Sequence, residues 1–169
     1  RLALKPDVAR ARLVKPGQAV EDRGLPGPVR PDQADDAALL DLRFNQPEIG
    51  VIMLKTVGDP ALVQAHDARI LELARADWFA DEIILKLKRV FKRLDLAARS
   101  LLAIIEKGSC FTGSLAELAF AADRSYMLDT GGDEGPALRF TLMNLGSLPM
   151  SNGLTRLQTR FLGAPDKAG

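Results

Sequence analysis

The chain predicts an α/β fold, with short buried strands alternating with amphipathic helices, on three observations. The first is an unbroken apolar run, Leu101 to Ile105, bounded by a charged, glycine-containing turn. Such a run suits a strand covered on both faces, as in a parallel sheet. The second is another near-continuous apolar run, Ile49 to Thr56. The third is the set of helical stripes before, between and after these runs, an order that argues for βαβ units packed in layers.

The elements follow in sequence. Residues 1–31 hold Pro6, Pro16, Pro26, Pro28 and Pro31 with Gly17, Gly24 and Gly27. That density opposes regular structure and predicts a linker or arm. The chain begins with Arg1 rather than Met, which suggests a fragment or a processed product. Asp32 can cap a helix running to Phe44 on a stripe of Ala38, Leu39 and Leu42, and Pro47 ends it. After the strand at Ile49 to Thr56, Asp59-Pro60 starts a helix that runs to about Arg75. Ala76-Asp77 breaks it. A second helix follows from about Trp78 to Leu94, with Asp81 and Glu82 early and Lys86, Lys88, Arg89, Lys92 and Arg93 late, a polarity that suits the helix dipole. The central strand then leads through a small-residue loop, Gly108 to Gly113, into a stripe of Leu115, Leu118, Ala119 and Ala122. Ser125 to Leu128 predicts a third strand, Thr130 to Pro136 a polar glycine loop, and Leu138 to Leu142 a fourth, more exposed strand. A turn at Pro149-Met150-Ser151-Asn152-Gly153 precedes a helical stripe of Leu154, Leu157 and Phe161. Residues 164–169 form a tail. No repeat of fixed period is present.

Composition narrows the function classes. The 169 residues are 47% hydrophobic and 27% charged, as expected of a globular domain with a core. A net charge of +1 supplies no field that would recruit nucleic acid or an anionic membrane. No apolar run approaches the ~20 residues of a membrane span, and no signal-peptide core opens the chain. One cysteine, Cys110, excludes an internal disulfide and fits a reducing, cytoplasmic setting. One cysteine and one histidine cannot build a Cys/His zinc site, so no metal is expected.

The stretch from Leu101 to Asp123 reads strand, tight loop, helix, and converges free backbone N–H groups on one point. That point can hold a developing oxyanion or be the inside of a turn. Here Gly108-Ser-Cys-Phe-Thr-Gly-Ser-Leu-Ala-Glu-Leu-Ala-Phe-Ala-Ala-Asp123 resembles the crotonase (enoyl-CoA hydratase/isomerase) superfamily stretch Asn-Gly-x-x-x-Gly-Gly-Gly-x-Glu-Leu-Ala-x-x-x-Asp. Further on, Asn144-Leu-Gly-Ser-Leu-Pro-Met-Ser-Asn-Gly-Leu-Thr-Arg-Leu157 resembles its Asn-Leu-Gly-x-x-Pro-x-x-Gly-Gly-x-x-Arg-Leu. Within the superfamily, the run from Ala98 through Gly108-Ser-Cys-Phe111 to Gly113, with Ala121-Ala-Asp-Arg-Ser-Tyr-Met127, is most similar to a branch of ring-opening carbon–carbon lyases. The resemblance covers roughly Pro31 to Leu162.

The resemblance implies a crotonase-like spiral of ββα units, here a partial domain over residues 32–163. It implies an acyl-CoA thioester substrate derived from benzoyl-CoA, ring opening with loss of formate, no cofactor beyond the CoA of the substrate, and a homodimer of the full-length protein. Members of that branch are longer, with an earlier crotonase-like half where the principal active site is expected. Carried across residue by residue, the oxyanion donors are the N–H of Ser114 and an N–H from the turn near His66, where Ala65-His66-Asp67-Ala68 matches Gly-Ala-Asp-Leu. The chain departs from the pattern at Ser114 and Leu115, where the family has glycines, at Ala65, and at Leu142, where hydratases carry a second carboxylate. Two readings of this segment therefore stand beside the lyase: a catalytically silent half that shapes the dimer or the substrate tunnel, and a hydratase or isomerase, which Leu142 disfavours.

Each candidate residue has a structural alternative. Glu117 is a general base, or the far end of a capping box Ser114-Leu-Ala-Glu117, in which it would bond the Ser114 N–H itself. Cys110 is a catalytic group in a small-residue loop, or a buried small hydrophobe. His66 orients a thioester, or fills a helix face. Asp123 is read as a structural link to the next strand. The Lys86 to Arg93 cluster, and Arg156 with Arg160, read as solvated helix faces. Ser109 with His66 and Asp67 suggests a hydrolytic triad, which the adjacency of His66 and Asp67 opposes.

Overall fold

The computed structural model describes residues 10–14, 39–131 and 135–167. Its main sheet has four strands in the order β1 (Arg10–Val14), β2 (Val51–Val57), β3 (Ser100–Ile105) and β5 (Arg124–Met127). Strand β1 runs antiparallel to β2, while β2, β3 and β5 are parallel. A small second sheet pairs β4 (Phe111–Thr112) in parallel with β6 (Leu138–Arg139). Each of β3 and β5 thus leads into a short strand of the second sheet and then a helical turn. This mixed α/β layering matches the expected class.

Apart from exposed Val57 and Ser100 at their ends, strands β2 and β3 alternate between buried and half-buried side chains, so both faces are covered, as the apolar runs require. Two helices join them. Helix α2 (Pro60–Leu73) begins where Asp59 accepts from the Ala61 N–H at 2.8 Å, with proline in its first turn. Helix α3 (Trp78–Asp95) begins where Asp77 accepts from the Phe79 N–H at 2.8 Å. It carries Asp81 in its first turn and Lys92 and Arg93 in its last, as the dipole argument predicts. The helix described over residues 39–45, α1, lies before β2; the predicted cap at Asp32 lies outside the described residues. Arg99 ties α1 to the sheet by donating to the carbonyls of Ile49, Leu42 and Gln46 at 2.7, 2.6 and 3.0 Å. Asp123 clips β3 to the following strand. Its carboxylate accepts from the Leu101 N–H at 2.7 Å, and its own N–H donates to the Leu101 carbonyl at 2.9 Å. The core gathers Leu54, Leu101, Ala103, Ile105, Phe111 and Met143.

Three expectations are corrected. The arm at residues 1–31 contains strand β1, because the window between Pro6 and Pro16 is free of proline and can pair along β2; the rest of the arm lies outside the described residues. The fourth strand stops at Arg139 rather than Leu142. Thr141 caps a 3-10 turn, Leu142–Leu145, in a capping box with Asn144, and this draws the chain out of the sheet. The central helix does not begin in a capping box at Ser114. A 3-10 turn, Gly113–Leu115, precedes helix α4 (Ala116–Ala121), which has no side-chain cap. Strand β5 is present as expected, but all four of its residues are exposed at the sheet edge. Helix α5 (Arg156–Arg160) starts at Thr155, which forms a capping box with Gln158. Among the described residues no helix is long and apolar enough to cross a membrane.

Leu101, at the centre of the core, tests this packing. Leu101→Ala should lower the unfolding free energy by about 2–5 kcal/mol, read as a lower urea midpoint with an unchanged slope.

Candidate functional site

The loop between β3 and α4 delivers Gly113 and Ser114 to one buried locus, and α4 itself delivers Glu117. Helix α2 brings Asp67 to it, the 3-10 turn after β6 brings Thr141 and Asn144, α5 brings Arg156, and the end of α3 brings Asp95. Their polar atoms form one connected chain. Asp67 accepts from the Ser114 N–H at 2.7 Å, the Ser114 hydroxyl at 2.8 Å and the Thr141 hydroxyl at 3.0 Å. Asn144 Oδ1 accepts from the Thr141 N–H at 2.9 Å, while its amide donates to the Gly113 carbonyl at 2.9 Å and to Glu117 at 2.7 Å. The other oxygen of Glu117 accepts from Arg156 at 2.9 Å. Arg156 also grips Asp95 with two parallel bonds of 2.8 and 2.6 Å and lies over the ring of Phe91 at 5.4 Å.

Glu117 therefore has both oxygens engaged and is 1% exposed. Burial pushes its pKa above the usual carboxylate range, outweighing the Asn144 and Arg156 hydrogen bonds, and the nearby charge of Asp95 adds to the rise. The capping-box reading of Glu117 is overturned, since Asn144 and Arg156, not the Ser114 N–H, are its partners. The Ser114 N–H is committed to Asp67. His66 does not lie at a turn: α2 runs unbroken from Pro60 to Leu73, so its N–H belongs to a helix interior. Its ring nitrogen lies 3.7 Å from Asp67 Oδ1, with the side chain 35% exposed. Ser114, Asp67 and His66 thus meet with the carboxylate between the hydroxyl and the imidazole, whereas a hydrolytic triad puts the imidazole in the middle. The Ser109 hydroxyl instead accepts from the Glu106 N–H at 2.9 Å.

Cys110 is fully buried, its N–H directed at the Thr56 hydroxyl at 3.0 Å. Burial pushes the thiol pKa up, and the neighbouring Thr112 hydroxyl offsets this only in part. Leu142, at the second hydratase position, is 72% exposed. Arg156, expected on a solvated face, is 2% exposed and belongs to the buried chain instead, because Asp95 and Glu117 close over it. Arg160 donates to the carbonyls of Phe120 and Ala122 at the end of α4. On α3, Arg89 pairs with Glu82 on the surface at 2.7 Å. Sequence reasoning missed Thr141, Asn144 and Asp95. The Thr141-x-x-Asn144 spacing was a usable signal for the first two; none marked Asp95.

Beyond this locus, a cleft of about 210 Å³ opens at the carboxyl ends of β2 and β3. Gly58, Pro60, Gly108, Ser109, Lys107 and Arg139 line it, among others. Arg139 pairs with Thr112 across the small sheet. Among the described residues no three His, Cys, Asp or Glu side chains are placed to hold a metal ion.

Three predictions follow from this geometry. Glu117 has a higher pKa folded than unfolded, so its stabilising share is full below the unfolded value and is lost as pH rises through the folded one. From pH about 4.5 upward, the wild-type chain should lose stability relative to Glu117→Gln, measured by urea unfolding at several pH values. Arg156→Met, which strands two buried carboxylates, should cost about 3–5 kcal/mol in the same assay. Cys110 should resist a thiol reagent in the native chain and react fully in urea; rapid native labelling would show an accessible thiolate.

No family model matches the chain. Its sequence is 42% identical over 152 residues, 89% of the chain, to benzoyl-CoA-dihydrodiol lyase of Aromatoleum evansii. The chain spans about 27% of that protein's length, so what it matches is one segment of that lyase.

Proposed function

We propose that the chain is a segment of a carbon–carbon lyase that opens the ring of a dihydrodiol or epoxidised benzoyl-CoA with release of formate, and that this segment is its catalytically silent, crotonase-like half. The likeness to benzoyl-CoA-dihydrodiol lyase supports the first part. One observation carries the second: the Ser114 N–H, which an oxyanion would need, is held by the buried carboxylate of Asp67. Two further features agree. His66 offers no loop N–H as a second donor, and Glu117 is bound on both oxygens. On this reading the ββα units serve as framework, and the cleft with Lys107 and Arg139 forms part of the path for an anionic thioester. The exposed edge strand β5 suits burial in a cytoplasmic homodimer of the whole protein. The hydratase reading loses ground at Leu142, which supplies no second carboxylate.

Calorimetry of the chain with benzoyl-CoA tests the proposal. No measurable heat is expected. Binding that disappears in Ser114→Pro, which lacks the N–H, would overturn the silent reading in favour of a working oxyanion site.

A further inference from the structure

We infer that the Ser114 N–H, the Ser114 hydroxyl and the Thr141 hydroxyl form a preorganised receptor for one small carboxylate, which Asp67 fills from within the chain. The inference deepens the reading above, on which it rests for the significance of the Ser114 N–H. Three donors from two separate segments converge on a carboxylate with no solvent exposure. Contacts that do not involve Asp67 position these donors. The Met143 N–H donates to the Thr141 hydroxyl oxygen at 3.3 Å, and Asn144 pins both walls by accepting from the Thr141 N–H and donating to the Gly113 carbonyl. The receptor's shape is thus set by the turn after β6 and by the loop before α4, not by the helix that carries Asp67.

Gly113 shows the same fit from the backbone side. Its φ of 52° is a conformation that suits glycine. A Cβ there would overlap Asp67 Oδ2 and press on Thr141. The backbone is therefore open where a carboxylate oxygen must enter. Three donors for one anion satisfy most of what a buried carboxylate requires, whereas without an anion the two donors of buried Ser114 would be left unpaired. Truncating Asp67 should leave a hole of carboxylate size lined by donors, and formate is the smallest ligand of that chemistry.

The test is chemical rescue of Asp67→Ala. Its thermal midpoint should fall, and concentrated sodium formate should raise it by several degrees above sodium chloride of equal ionic strength. Formamide, the neutral counterpart, should give no such rise, and the wild-type chain should respond equally to both salts. Refolding from urea covers a variant that does not fold unaided: the soluble yield should be higher with formate than with chloride or formamide. Equal midpoints, or equal yields, in all three would overturn the receptor. That result leaves the silent-half reading standing, since the latter is decided by binding of benzoyl-CoA to the wild-type chain.

Discussion

One guanidinium shared by two carboxylates governs how this chain closes. Arg156 joins α5 to Asp95 at the end of α3 and to Glu117 on α4, all three side chains nearly without solvent. Taking these charges out of water is costly, and their mutual bonds, the Asn144 amide on Glu117, the Leu148 carbonyl on Arg156 and the Phe91 face offset it. The helices can therefore meet in few other arrangements without stranding a charge. The supply of donors also reaches further. Glu117 leans on Asn144, Asn144 holds the Gly113 carbonyl and the Thr141 turn, and that turn faces Asp67. A single polar thread runs from the end of α3 to the middle of α2.

This thread runs through the position where the sequence motif led us to expect a free oxyanion donor, the Ser114 N–H. The motif spacing survives, with Gly113 still in a left-handed conformation and Glu117 still one turn into the helical stretch. The chemistry the spacing suggests is absorbed by partners within the chain. A motif match thus reports the local path of the backbone. Whether its polar atoms are available is decided by side chains arriving from elsewhere.

The contrast between what the residues disclosed and what they hid has the same cause. Strands β2 and β3 were legible because burial on both faces demands continuous apolar residues. Helices α2 and α3 were legible because Asp59, Pro60 and the placement of charges act locally. Strand β1 was hidden by the prolines around it, since its pairing comes entirely from β2. Arg156 was hidden because a charge on a short amphipathic helix reads as solvated, and its carboxylates lie 61 and 39 residues away. Asp67 stood beside His66 and drew notice as part of a motif match and as a triad member, while its donors come from 47 and 74 residues further along. Local chemistry is printed in neighbouring letters; a buried network is written across the whole chain.

The clip between Asp123 and Leu101 bears on the order in which the molecule assembles. It joins residues 22 apart, so the unit of β3, β4, α4 and β5 closes over a short stretch of chain. Strand β2 reaches β3 only after two intervening helices, and β1 also reaches β2 across a longer interval than the clip spans. Loop-closure entropy rises with the length enclosed, so refolding is expected to nucleate in the unit of β3 to β5, with β1 and β2 joining afterwards.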